Sequence, residues 1–184
     1  MTLRLARTNG EAHIYMELHP CPECGETEFD PESTVVVVDG DLASRYAGEC
    51  PRCRSYREFT FQIPQDVIIP DEEHPVFGDE RPSELLDAGE WIWLANLIAS
   101  NNPADPDGLT AEERRQVRLD LRAAAAAVSE ALKFLPPGVD ELPPEVLWSD
   151  RGRAVYEDDP GRFRRGRLEV IERTYREIAD RFTD

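Results

Sequence analysis

The fold of the front of this 184-residue chain is decided by two stretches, Cys21-Pro22-Glu23-Cys24-Gly25 and Cys50-Pro51-Arg52-Cys53. They are matching C-P-x-C turns, 25 residues apart, and they contain all four cysteines of the chain. The two-residue gap lets each turn direct both of its sulfurs at one point. Two such turns form a tetrahedral all-sulfur site with metal–sulfur distances of about 2.3 Å. The spacing therefore predicts one metal ion bound by Cys21, Cys24, Cys50 and Cys53.

The predicted ion is structural rather than catalytic, because four thiolates leave no open position for an activated water. A sheet of about 50 residues buries too little apolar surface to fold alone, and a structural zinc ion can contribute about 10–16 kcal/mol. Zinc is therefore favoured. Two alternatives stay open: an iron ion in a rubredoxin-like electron carrier, and metal-free thiols or two disulfides. His19 is an alternative ligand, although with four cysteines present we expect it to be a surface imidazole.

The two cysteine turns resemble the knuckles of the zinc-ribbon family, over roughly residues 12–63. The resemblance implies a small antiparallel sheet and a closed structural site formed by the four cysteines. It does not fix a function, because zinc ribbons serve many classes of protein. Arg54 departs from the pattern, since the first knuckle has Gly25 at the equivalent position. We therefore expect a less regular second turn.

Residues 1–63 are predicted to form this zinc-ribbon β domain. Ile14, Met16 and Leu18 alternate with more polar residues, as in a half-buried strand. A second strand ends at Asp39-Gly40-Asp41, which is a strong hairpin signal. The predicted strands therefore lie around residues 14–18, 33–38, 42–48 and 57–63, in an antiparallel sheet of three or four strands.

Residues 64–82 are predicted to be an acidic, Pro-rich linker that can pack along a surface, and residues 83–184 a helical domain of three to four helices. Ser83 is expected to cap a helix that ends near Ser100. Thr110 and Glu113 form a capping-box sequence before the longest amphipathic stretch. Two further helices are expected near residues 149–156 and after Pro160-Gly161. The predicted fold class is α+β.

The charge of the chain restricts its partners. There are 38 acidic against 21 basic residues, a formal net charge of -17. This excess opposes binding to a phosphate backbone or an anionic membrane, so a basic protein is the expected partner. We see no signal peptide or membrane span and expect a cytoplasmic protein, where thiols stay reduced. The use of 20 arginines against one lysine indicates a GC-rich, bacterial genome.

Two arginine clusters are candidate contact surfaces. The first surrounds the second cysteine turn and the second precedes the last helix. Their members are Arg52, Arg54 and Arg57, and Arg162, Arg164, Arg165 and Arg167. The alternative interpretation is that both clusters are solvated surface or form salt bridges within the protein.

The sequence contains no local catalytic triad, His-Glu-x-x-His pattern or Gly-rich phosphate loop. We therefore expect a non-enzymatic, zinc-containing protein-binding or regulatory factor, of an inhibitor-like or immunity-like kind. The alternatives are a nucleic-acid-associated factor that uses both arginine clusters, the iron electron carrier, and an enzyme with a site in the helical half.

Overall fold

The computed structural model describes residues 3–66, 68, 71 and 73–183. Its residues divide into two units, one of Met1–Ile68 with Ser83–Leu85 and the other of Ile69–Pro82 with Leu86–Asp184. The first unit holds one helix and an antiparallel sheet, and the second holds four α-helices. The fold is therefore α+β, with a three-stranded sheet and five α-helices in the described residues.

The sheet of the first unit has the order β1-β2-β3, with β1 at Glu32–Val38, β2 at Asp41–Glu49 and β3 at Tyr56–Gln62. Asp39 and Gly40 join β1 to β2 with φ angles of 53° and 97°. Positive φ at both central residues is what a tight two-residue hairpin requires. The hairpin predicted at Asp39-Gly40-Asp41 is confirmed.

The strand predicted around Ile14, Met16 and Leu18 is wrong, because these residues lie in helix α1, Asn9–Leu18. Thr8 caps this helix by accepting a hydrogen bond from the backbone N–H of Glu11 at 3.1 Å. The buried positions of α1 repeat with helical rather than strand spacing. They are Glu11, Ala12, Tyr15, Met16 and Leu18.

Helix α1 packs its aromatic side chain on the sheet. The Tyr15 ring meets Phe59 and Phe61 edge-on, with centroids 6.2 and 5.5 Å apart. Arg7 and Glu11 form a buried ion pair of 2.6 Å beside the start of the helix. The core of this unit is therefore small and partly charged.

The second unit contains α2 at Ala88–Ser100, α3 at Ala111–Leu132, α4 at Asp150–Asp158 and α5 at Arg165–Ala179. Short 3₁₀ turns lie at Pro144–Val146, Pro160–Phe163 and Asp180–Phe182. Val117 and Leu121 of α3 pack with Ala179 and Phe182. The large buried side chains of this unit are mostly apolar, including Trp91, Ile92, Phe163 and Leu168.

The predicted capping box at Thr110 and Glu113 is present at the start of α3. The predicted cap at Ser83 is wrong, because α2 begins after Asp87, which forms its own capping box with Glu90. Ser83 instead accepts a hydrogen bond from the N–H of Leu85 at 3.0 Å.

The acidic segment before the helices makes contacts within the second unit. Glu73 pairs with Arg118 and Arg122 of α3 at 3.2 and 3.1 Å, and Phe77 packs against Trp91. These contacts hold part of the segment against α2 and α3. Four residues of the predicted linker, Val67, Ile69, Pro70 and Glu72, lie outside the described residues.

Candidate metal centre

The four cysteine sulfurs converge on one point in the first unit. Their ligand atoms all lie within 4.8 Å of one another. The sulfurs of Cys21 and Cys53 are 3.6 Å apart, as are those of Cys24 and Cys50. A tetrahedral ion with metal–sulfur bonds of about 2.3 Å separates its ligands by about 3.8 Å, whereas a disulfide needs about 2.05 Å. The arrangement therefore fits one metal ion and not two disulfides.

The two knuckles have the same backbone geometry. In the first, the N–H of Gly25 donates to Cys21 O and the N–H of Cys21 donates to Glu26 O, both at 2.8 Å. In the second, Arg54 donates to Cys50 O at 2.9 Å and Cys50 donates to Ser55 O at 2.8 Å. The expectation of a less regular second turn is wrong. Arg54 adopts a φ of 64°, close to the 74° of Gly25, and accepts the strain of that conformation.

The sheet and the helix position the knuckles. The first knuckle lies between α1 and β1, and the second joins the end of β2 at Glu49 to the start of β3 at Tyr56. A metal ion at this site would therefore fasten α1 to the β2–β3 end of the sheet.

Arg57 ties the two knuckles together beneath the site. It follows the second knuckle on β3, is only 5% exposed, and donates to His19 O at 2.7 Å, two residues before Cys21. It also donates to Met16 O at 3.4 Å, and its guanidinium lies 4.2 Å from the centre of the Phe29 ring. The structure therefore places this arginine, predicted as a candidate partner contact, in the interior of the unit.

Ser55 is a site residue that sequence reasoning missed. Its hydroxyl lies 3.2 Å from the sulfur of Cys21 and 3.1 Å from that of Cys53, so it contacts one sulfur from each knuckle. This hydroxyl is the main cause that lowers the pKa of Cys21 to about 6 and also lowers the pKa of Cys53. A hydrogen bond stabilises the thiolate, which is the form that binds metal.

The site is buried on one side and open on the other. Cys21 and Cys50 are 2% and 0% exposed, whereas Cys24 is half-buried and Cys53 is exposed. Within the described residues the candidate ligand group consists of the four cysteines. His19 lies outside it, with its ring stacked on Tyr15 and its Nδ1 2.7 Å from Tyr15 O.

Models of known protein families, curated proteins and solved structures were compared with this chain, and none of them matches it. The metal site therefore stands on its own geometry. No helix in the described part of the chain is long and apolar enough to span a membrane.

The remaining arginines of the first cluster lie on the surface of the second knuckle. Arg52 donates to Cys24 O at 3.3 Å, and Arg54 pairs with Glu49 at 2.8 Å with both side chains largely exposed. Arg52 therefore bridges the two knuckles through the backbone, and the Arg54 pair contributes little to stability in water.

The second arginine cluster belongs to the other unit and makes internal contacts there. Arg165 donates to Leu135 O and Pro136 O at 3.1 and 3.0 Å. The other contacts of this cluster are Arg162 with Asn96, Arg164 with Glu141 at 3.0 Å, and Arg167 with Asp159 at 3.8 Å. These four side chains hold neighbouring segments of their own unit.

Proposed function

We propose that this protein is a non-enzymatic binding factor whose first unit folds around one structural zinc ion and which recognises a basic protein partner. The observation that carries the proposal is the convergence of four cysteine sulfurs within 4.8 Å of one another. A closed set of four thiolates holds a zinc ion without a position for substrate or water. In this reading the four cysteines shape a binding module of the zinc-ribbon kind.

Zinc is preferred to iron because the first unit needs stabilisation and uses the ion for nothing else that we identify. Its small core includes the buried charges of Arg7, Glu11 and Arg57, and buried charges contribute little net stability to a fold. A bound zinc ion adds folding free energy directly. The cytoplasm, where thiols stay reduced, is the compartment that suits four metal-binding cysteines.

A basic protein partner is supported by the distribution of charge. The chain has a net charge of -17, and several of the arginines that could oppose it locally contact groups of their own unit. Arg57 is buried, and Arg162 and Arg165 bond to groups of their own unit. The unopposed carboxylates would attract a basic surface and speed its association.

The metal is tested by elemental analysis of the purified full-length chain. We expect one zinc ion per chain and a colourless protein. A red protein that bleaches on reduction and contains iron would replace the zinc assignment by an electron carrier. A chain without bound metal would overturn the metal centre altogether.

The partner is tested by affinity capture from the native cell, with elution by salt. We expect a basic protein that is retained at low salt and released as salt screens the charges. A gel shift with duplex and single-stranded nucleic acid at low salt is the counter-experiment. Tight nucleic-acid binding, or the absence of any salt-sensitive protein partner, would contradict the proposal.

A further inference from the structure

The two edges of the sheet in the first unit differ. The outer edge of β3 is covered at Gln62, which donates to Arg4 O at 2.9 Å and accepts from the N–H of Ala6 at 3.2 Å. Among the described residues, no strand or backbone segment pairs with the outer edge of β1. A strand edge of this kind presents a row of N–H and C=O groups to an incoming chain.

The open strand also presents apolar side chains to solvent. Val35 and Val37 are 66% and 68% exposed, and Leu42, which lies opposite Val37 on β2, is 56% exposed. These three side chains lie on one face of the sheet because residues two apart on a strand, and directly paired residues on neighbouring strands, share a face. Val35 and Val37 form an apolar row along the open edge, and Leu42 lies one strand further into the sheet on the same face.

Natural sheets blunt such edges with charged side chains, especially lysine, with prolines or with bulges. Strand β1, Glu-Ser-Thr-Val-Val-Val-Val, has a single charged residue at its first position and no proline, and its register with β2 is continuous from Glu32 with Ala47 to Val38 with Asp41. The edge is therefore regular as well as open, which is the geometry that accepts an added strand.

Carboxylates flank the apolar row at both ends. Residues 26–41 contain six acidic residues and no lysine or arginine. Asp30 and Glu32 precede the valines, Asp39 and Asp41 follow them, and all four are exposed. Within the described residues Asp30, Glu32 and Asp41 form no ion pair.

This charge pattern selects the occupant. A second copy of the chain, added in either direction, would bring acidic ends against acidic ends, and like charges across a strand pair are destabilising. A segment with alternating apolar residues and basic residues at both ends would bury the valines and meet the carboxylates. The same charges that oppose self-association therefore attract such a segment.

We propose that the open edge of β1 binds an extended segment of the basic partner by strand addition, with apolar residues beside Val35 and Val37 and basic residues beside the flanking carboxylates. This inference rests on the proposed function and names its binding surface.

The probe is a fluorescent peptide, KRVTVTVRK, titrated against the full-length chain at low salt. Two control peptides accompany it: EEVTVTVEE reverses the end charges, and KRVTPTVRK removes a backbone N–H from the strand. We expect the basic peptide to bind at least about tenfold more tightly than either control and to weaken as salt rises. Hydrogen exchange should slow at the backbone amides of β1 when the peptide is bound.

The double variant Val35→Thr/Val37→Thr keeps the β-branched shape that suits a strand and removes apolar surface. We expect about a tenfold loss of peptide affinity. The matched control is Val170→Thr, which changes a 47%-exposed valine on α5 in the other unit and should leave binding unchanged. Circular dichroism verifies the fold; if the double variant unfolds, the exchange footprint on the unsubstituted chain decides.

Three outcomes would overturn this proposal: no binding of the basic peptide, protection outside β1, or a dimer of the unsubstituted chain that the double variant abolishes. Capture of the native basic partner distinguishes failure of the proposed binding edge from failure of the proposed function. If the double variant captures that partner with undiminished affinity, the edge is wrong and the function stands. If the peptide protects β1 but no basic partner is found, the edge stands and the function is wrong.

Discussion

In the first unit one helix and three strands surround a small interior of a few aromatic side chains and three buried charged groups, whereas in the second unit four helices enclose a larger apolar interior that also buries three carboxylates. Tyr15 and Phe61 share the first interior with Arg7 and Glu11. Trp91 lies in the second interior, with zero exposure. The first interior has fewer apolar side chains to offset its buried charges and so needs an additional source of stability, which a metal ion held by the four cysteines would supply. The comparison shows how one chain can stabilise one unit by metal binding and another by burial of apolar side chains.

The largest expected effect is on the metal. Cys50→Ser removes a fully buried ligand, and we expect the first unit to lose its structure, because about 10–16 kcal/mol of zinc binding exceeds or matches the ~5–15 kcal/mol stability of a typical domain. Hydrogen exchange should become fast in residues 9–62 and stay slow in residues 88–179. A strong chelator should reproduce this result, and added zinc should reverse it. Slow hydrogen exchange in the sheet after complete metal removal would show that the first unit does not depend on the metal for its stability.

The next effect is on the close packing of the helical unit. A Cβ atom added to Gly89 of α2 would lie 2.4 Å from the backbone of Gly152 in α4. We expect Gly89→Ala to lower the free energy of unfolding of this unit by about 3 kcal/mol, since overpacking forces backbone shifts. Thermal unfolding measures the effect.

The matched control for that substitution is Gly166→Ala in α5, where nothing lies within 4 Å of the added atom. It should stabilise the helix by about 0.5–1 kcal/mol, because alanine loses less backbone freedom than glycine on folding. Equal losses from both substitutions would show that the close approach of α2 and α4 carries no special weight.

A smaller effect is expected from Arg57→Lys in the first unit. Lysine keeps the charge but cannot reach several carbonyls while stacking on Phe29. We expect a loss of about 1–3 kcal/mol, the cost of leaving buried groups unsatisfied, in denaturant unfolding of the zinc-bound chain. Arg52→Lys, at an exposed position on the same knuckle, should change stability by less than about 0.5 kcal/mol. If Arg57→Lys leaves the stability unchanged, the buried contacts of Arg57 do not stabilise the unit, and its predicted role as a partner contact would be favoured instead.

The smallest effect compares the two knuckles themselves. Arg54→Gly removes the strain of a left-handed conformation, which costs a non-glycine residue about 1–2 kcal/mol. The greater conformational freedom of glycine in the unfolded chain offsets about 0.5–1 kcal/mol of this gain. We therefore expect a net stabilisation of up to about 1 kcal/mol. The reverse change, Gly25→Arg, should destabilise by a similar amount. Opposite signs in a denaturant titration confirm that the knuckles are equivalent, and equal signs refute it.

Local signals in the sequence predicted several of these features correctly. The Asp39-Gly40 turn, the capping box at Thr110 and the convergence of the four cysteines each depend on residues close in sequence or on a strict spacing. The alternation of Ile14, Met16 and Leu18 wrongly predicts a strand, although Thr8 and Glu11 carry the signal of a helix start. Asp87 and Glu90 carry the same signal for α2, and the prediction of a cap at Ser83 overlooks it.

Other features lie beyond a reading of the sequence because they depend on the tertiary fold. The approach of Gly89 to Gly152 joins residues more than 60 positions apart. The burial of Arg57 contradicts the usual preference of arginine for the surface, and its partners are backbone carbonyls that any sequence would supply. Ser55 can be identified as a site residue only when the fold brings both knuckles together, because its hydroxyl contacts one sulfur from each of them.

The unequal exposure of the four sulfurs sets an order for metal exchange. Cys53 faces solvent while Cys21 and Cys50 are enclosed, so a competing thiol would displace Cys53 first, while three ligands still hold the ion. Release would then wait for the enclosed pair to open, which requires the sheet to loosen. The lifetime of an ion bound at this site would therefore depend on local opening of the protein around Cys21 and Cys50, and an exchange catalyst would have to approach from the Cys53 side.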